Sequence, residues 1–107
     1  MIVEMRTYTL ALGATGRYFK LYGEKGLAVQ KRILGHLIGY YSVEVGALNQ
    51  VVHLWAYDSL DERARRRGAL WADPEWLAYV AEVGGLVTGQ ENQILNPAPF
   101  FPVPPAP

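Results

Sequence analysis

The chain contains no cysteine, which excludes disulfides and any cysteine-bearing zinc site and fits a reducing compartment. Histidine is scarce: His36 and His53 are the only two, at a spacing that does not pair them as ligands, so no metal site is expected. Neither sign of charge is in excess, with ten Lys and Arg against ten Asp and Glu. A neutral chain lacks the electrostatic footprint of a nucleic-acid binder. No apolar run is long enough to span a bilayer. A strand that begins at Ile2 leaves no room for a signal or transit peptide. The expectation is therefore a cytoplasmic protein with neither a membrane nor a nucleic acid as partner. A glycine-rich phosphate loop after a strand is also missing, as is a Ser or Cys in a nucleophile setting. Nothing calls for a cofactor.

What is present is a chain of 107 residues, half of them hydrophobic, enough for one domain with a packed core. Ile2 to Thr9 alternates with a period of two and reads as a strand. Arg17 to Leu34 has helical spacing, weakened at Gly23 and Gly26 and closed by Gly35, so an interrupted helix is expected. Leu37 to Val45 and Asn49 to Tyr57 read as two strands joined by the turn Gly46-Ala47-Leu48, an antiparallel hairpin. Ser59 and Glu62 form a capping box that opens a helix with Leu60, Ala64 and Trp71 inward. Asp73-Pro74 opens a further helical segment, with Trp76, Leu77 and Val80 as its apolar face and Gly84-Gly85 as its end. Val87 to Leu95 is the last strand. The order β-α-β-β-α-β is the ferredoxin-like α+β arrangement, an antiparallel sheet with both helices on one face. Residues 1–99 form this domain. Residues 100–107 form a Pro-rich tail, whose Phe100-Phe101 pair is expected to dock on something.

Two central strands carry side chains that are costly to bury idly. On the third strand, Val52, Leu54 and Ala56 suit the helix-packed face, which turns Val51, His53, Trp55 and Tyr57 to the bare face. Val3 and Met5 likewise go under the helices and Glu4, Arg6 and Tyr8 face away. Tyr40, Ser42 and Glu44 join them from the second strand with Ile38 as an apolar neighbour, although the parity of that strand reads either way. The candidate ligand-binding constellation is Glu4, Arg6, Tyr8, Tyr40, His53 and Trp55. An imidazole can act as acid or base near neutrality, and an arginine can hold a carboxylate or enolate by paired hydrogen bonds. Tyrosine and tryptophan supply apolar walls with a polar tip. The plainer alternatives are a Glu4–Arg6 ion pair at an interface, a His53 that donates to a carbonyl, and interface packing for Trp55 and Tyr57. Arg63, Arg65, Arg66 and Arg67, close to Asp61 and Glu62, read as a solvated, salt-bridged helix face.

Met1 to Tyr8, the run Asn49-Gln50-Val51-Val52-His53-Leu54-Trp55-Ala56-Tyr57, Asp73-Pro74-Glu75-Trp76 and Gln90-Glu91-Asn92 together resemble the NIPSNAP family, from Ile2 to about Pro99. The resemblance implies a ferredoxin-like subunit that pairs into a dimeric α/β barrel. The short chain is similar to the bacterial members, not to the longer mitochondrial proteins of animals. No settled mechanism comes with the family, whose wider superfamily includes cofactor-free monooxygenases, haem-degrading enzymes and muconolactone-isomerase-like enzymes. The leading expectation is a homodimer that binds a small organic molecule, with Arg6 as anchor, His53 and Tyr40 as further hydrogen-bonding groups, and Trp55 and Tyr8 as walls. One alternative is a cofactor-free monooxygenase or isomerase, with His53 as the candidate catalytic base and Arg6 as enolate stabiliser. Another is a purely structural or protein-interaction dimer.

Overall fold

Alternation builds the first strand, β1 (Ile2–Leu10), and a computed structural model, which describes residues 1–106, follows it through the rest of the chain. Gly13 turns the chain at a φ of 73°, and α1 (Thr15–Leu21) leads into a wide π turn (Tyr22–Gly26) and then α2 (Leu27–Leu34). The expected interruption is thus a change of helical pitch, not a break. It falls where Gly26 lets two rings approach the backbone: a Cβ there would stand 2.8 Å from Tyr22 and 3.0 Å from Tyr79. Gly35 ends α2 at a φ of 92°, a conformation that favours glycine.

The hairpin follows as β2 (His36–Ser42) and β3 (Gln50–Tyr57). Ser59 then accepts a hydrogen bond from the Glu62 backbone and caps α3 (Leu60–Leu70). Asp73 accepts from Glu75 and Trp76 and caps α4 (Pro74–Val83), with Pro74 in the first turn. A short 3₁₀ turn (Gly84–Leu86) delivers the chain to β4 (Val87–Leu95). The four antiparallel strands lie in the order β2-β3-β1-β4, with the helices on one face. This is the ferredoxin-like α+β fold.

The faces of the sheet are the reverse of those expected. Val51, His53, Trp55 and Tyr57 lie fully buried on the helix side, with Glu4 and Arg6 beside them on β1. Val51, Trp55 and Tyr57 belong to the core with Tyr18, Tyr22, Leu34, Leu70, Trp76 and Tyr79. Met5, Val52 and Leu54 are only half-buried and look to the open face. Strict alternation defines two faces but carries no sign. The aromatic set goes inward because its volume fills the gap between sheet and helices.

On β2 the register shifts between Leu37 and Gly39, so Leu37 pairs with Trp55 and Tyr40 with His53 although they stand three residues apart. The extra residue, Ile38, is a bulge, which is why the parity of this strand read either way. The strand stops at Ser42, and Glu44 lies beyond it, exposed. In the helices, Leu60 and Trp71 stay largely exposed while Leu70 fills the core; Leu77 is also outward, replaced by Tyr79 and Val83. The tail runs beside the open face, where Phe101 to Pro104 share a groove with Val3, Ile38, Leu54 and Leu95. Both Phe100 and Phe101 nonetheless remain mostly exposed. Pro107, the end of the expected tail, lies outside the described residues.

Candidate functional site

Strand pairing brings the candidate residues into rows. Arg6 lies opposite His53 and Glu4 opposite Trp55, and Tyr40 completes the row through His53 on the other side. On β4, Asn92 faces Arg6 and Gln90 faces Tyr8. All point to the helix layer, so one continuous polar strip crosses an otherwise aromatic core.

Glu4 is the anchor of that strip. Its Oε2 accepts from Arg63 Nη2 at 2.6 Å, Asn92 Nδ2 at 2.9 Å and Arg6 Nη1 at 3.1 Å. Burial alone would raise its pKa; the hydrogen bonds from Arg63 and Asn92 and the charges of Arg6 and Arg63 overcome that and hold the carboxyl at about 2. Arg6 also donates to Tyr8 at 3.1 Å and to Gln90 at 3.5 Å, and its guanidinium lies 5.6 Å from the Tyr8 ring centre.

His53 is sandwiched. Its ring stacks on Tyr40 at 4.4 Å and meets the edge of Tyr8 at 4.8 Å. Trp55 Nε1 donates to His53 Nδ1 at 2.7 Å, so the neutral imidazole carries its proton on Nε2. That atom is buried and has no partner. Burial first, and the nearby Arg6 charge second, push the imidazole down to about 3. It is a neutral hydrogen-bond donor across the physiological range.

Above His53, between the sheet and the helices, lies a cavity of about 130 Å³. Tyr8 and Tyr40 wall it from the sheet, and Tyr18, Trp71, Trp76 and Tyr79 wall it from the helices. The hydroxyls of Tyr18 and Tyr40 meet at 2.5 Å, and both phenols are pushed up by burial, so they stay protonated. Gln30 and Gln90 add amides to the lining. Gln30 is itself held by the Tyr22 hydroxyl at 2.6 Å.

Three of the six candidates, Tyr8, Tyr40 and His53, line this cavity directly. Arg6 and Glu4 stand to one side of it, reaching the lining through Tyr8 and Gln90. Trp55 lies behind His53, where it fixes the imidazole tautomer and does not form a wall. Sequence reasoning missed the helix-borne walls Tyr18, Trp71, Trp76 and Tyr79. It also read Arg63 and Arg67 as solvated, although Arg63 reaches Glu4. The signal was available: Arg63, Arg67 and Trp71 recur at intervals of four and share one face of α3. Among the described residues, no three of His, Cys, Asp and Glu form a cluster that could hold a metal, and no helix is long and apolar enough to cross a membrane.

An antiparallel four-stranded sheet, covered on one face by helices and holding an aromatic cavity between the layers, defines a ferredoxin-like α+β domain with an internal pocket. Its matches are more particular than that class. Residues 3–102 match the NIPSNAP family model, and the chain belongs to the NIPSNAP family. A NIPSNAP family protein of unknown function from Agrobacterium tumefaciens superimposes with a TM-score of 0.94 at 45% identity, covering 96% of this chain and 93% of that one. A NIPSNAP-like domain protein from Burkholderia xenovorans gives 0.94 at 44%, covering 98% and 92%. A NipSnap homologue from Dictyostelium discoideum is 32% identical over 94 residues, 88% of this chain but 41% of that protein. The chain therefore spans less than half of that curated relative. A putative antibiotic biosynthesis monooxygenase from Nitrosomonas europaea shares the fold alone, with a TM-score of 0.66 at 11% identity.

Proposed function

We propose that the protein is a homodimer that binds a small organic molecule, about one aromatic ring in size, in the cavity of each subunit. The observation that carries this reading is the cavity itself. A comparable cavity of about 150 Å³, lined by apolar residues, takes up benzene, and this one offers about 130 Å³. Here aromatic walls are joined by a few convergent polar groups, the usual make-up of a small-molecule site. Within the Tyr18–Tyr40 pair one hydroxyl donates to the other, which leaves one O–H and several lone pairs for a ligand. The unpartnered His53 Nε2–H is a second donor close by.

Homodimerisation is supported by the open face of the sheet. Met5, Val52 and Leu54 are half-buried there and Tyr41 is largely exposed, an apolar surface suited to a second copy. A cytoplasmic location is supported by the absence of cysteine. The oxygenase or isomerase reading draws no support from His53. Its Nδ1 is occupied by Trp55 and its pKa is depressed to about 3, so it is a poor base near neutrality.

Titration with benzyl alcohol, followed through the fluorescence of Trp71 and Trp76 in the cavity wall, tests the binding reading. Saturable quenching together with a raised melting temperature is expected; a linear, unsaturable response removes it. Sedimentation equilibrium tests the pairing, and a monomer at micromolar concentration overturns it.

A further inference from the structure

The polar side chains of the cavity wall are engaged from behind, and all in the same sense. Trp55 Nε1 donates to His53 Nδ1 at 2.7 Å, and the Tyr22 hydroxyl donates to Gln30 Oε1 at 2.6 Å. Arg6 donates to the Tyr8 hydroxyl oxygen at 3.1 Å and to Gln90 Oε1 at 3.5 Å. His53, Gln30, Tyr8 and Gln90 line the cavity, whereas Trp55, Tyr22 and Arg6 do not. A layer of donors behind the wall thus occupies an acceptor on each of four lining side chains.

Each of the four keeps its donors. The glutamines retain their NH2 groups and Tyr8 its O–H. His53 retains only Nε2–H, and because the two nitrogens of an imidazole point apart, that N–H is directed away from Trp55. Trp76, also in the wall, has an indole that can donate and never accept. His53 and Trp76 are 0% and 6% exposed, and His53 Nε2 and Trp76 Nε1 are buried with no hydrogen-bond partner among the described residues. One comes from the sheet, on β3, and the other from the helix layer, on α4. Buried donors of this kind are costly until an acceptor meets them. Among the described residues, no Asp, Glu, Lys or Arg lines the cavity, so a charged ligand would lose its water there without gaining a counter-charge.

We infer that the cavity takes neutral, compact ring compounds that carry a carbonyl oxygen, such as an aryl ketone, aldehyde or ester, the oxygen accepting from the donors of the wall. The inference rests on the small-molecule reading above and specifies the class of its ligand. A carbonyl oxygen has two lone pairs and no proton of its own, so it meets two donors and asks for no acceptor in return. An alcohol of the same shape brings an O–H that competes for the few acceptors left. Selectivity of this kind follows when a site is built to hydrogen-bond one partner and leaves its analogue imperfectly paired.

The test compares acetophenone with 1-phenylethanol, which share a carbon skeleton and differ in the carbonyl. Calorimetric titration of the wild-type chain is expected to give acetophenone at least about tenfold tighter, the effect of one hydrogen-bonding group left imperfectly paired on burial. The double variant Tyr8→Phe/Trp76→Phe keeps both positions aromatic but removes two of the donors, and should erase most of that preference. Circular dichroism checks that the variant folds. A measurement on the wild-type chain needs no variant: carbon-13 NMR of carbonyl-labelled acetophenone, extrapolated to saturation. The bound carbonyl should resonate downfield of its position in cyclohexane, the displacement that accepting a hydrogen bond produces. Equal affinities in wild type, a preference that survives in the folded double variant, or a carbonyl signal at its cyclohexane position overturns the carbonyl assignment and leaves the cavity reading intact. If neither compound binds wild type, both readings fall.

Discussion

Replacing Glu4 with glutamine isolates the group on which the polar strip depends. The wild-type carboxyl is fully buried, takes three donors on one oxygen and titrates at about 2 against an ordinary 4.5. The folded chain therefore holds this proton less tightly than the unfolded chain by about 3 kcal/mol, from about 1.4 kcal/mol for each pH unit. A depressed carboxyl contributes stability that is complete above pH 4.5 and is lost as the pH falls towards 2. Glu4→Gln keeps the shape and one acceptor oxygen but leaves Arg6 and Arg63 without their counter-charge. Loss of one partner from a buried pair costs about 3–5 kcal/mol, and that is the expected destabilisation at pH 7. Urea unfolding of both proteins at intervals from pH 7 to pH 2 measures the two effects together. The variant should start lower, and the two curves should converge below pH 4.5. Glu62 and Asp73 are also depressed by hydrogen bonds, but they titrate alike in both proteins and cancel in the difference. Parallel curves across the whole range would refute the claim that Glu4 is the charged centre of the strip.

Two further outcomes probe the neighbouring residues. The His53 ring, depressed from 6.5 to about 3, should show constant side-chain nitrogen shifts between pH 8 and pH 5 with the proton on Nε2; a titration midpoint near 6 contradicts its burial. Its contribution to stability is complete above pH 6.5 and is lost on acidification towards 3. Gly26→Ala would press a methyl group to 2.8 Å from Tyr22 and 3.0 Å from Tyr79, and should cost about 1–3 kcal/mol by overpacking. An unchanged urea midpoint would show that the rings yield freely.

The strands, both helix caps and the β-α-β-β-α-β order were legible because each is written locally, in periods of two and in Ser59, Glu62, Asp73 and Pro74. The facing of β1 and β3 was not, since alternation is symmetric and the choice is made by volume across the helix layer. Tyr40 was found but its partners were uncertain, because the bulge at Ile38 reverses the alternation halfway along β2. Within the site, Tyr8, Tyr40 and His53 stood out as costly residues on strands. Tyr18, Trp76 and Tyr79 did not, because an aromatic residue on the apolar stripe of a helix looks like any other core residue. Arg63 and Arg67 share with Trp71 a spacing of four that marks one face of α3, but that this face turns inward depends on a glutamate 59 residues away from Arg63.

The wide turn at Tyr22–Gly26 acts as a phase corrector. Tyr18 and Gln30, on either side of it, both line the cavity. On a uniform α-helix, twelve positions at about 100° each leave them about 120° apart in direction. A π turn absorbs about one extra residue, and with it about 100°, which brings the two side chains nearly into line. The spacing between Tyr18 and Gln30 is consequently a matter of angle before it is one of chemistry. Loss of a single residue from this segment would swing one half of the helix away from the cavity even if every lining residue were retained.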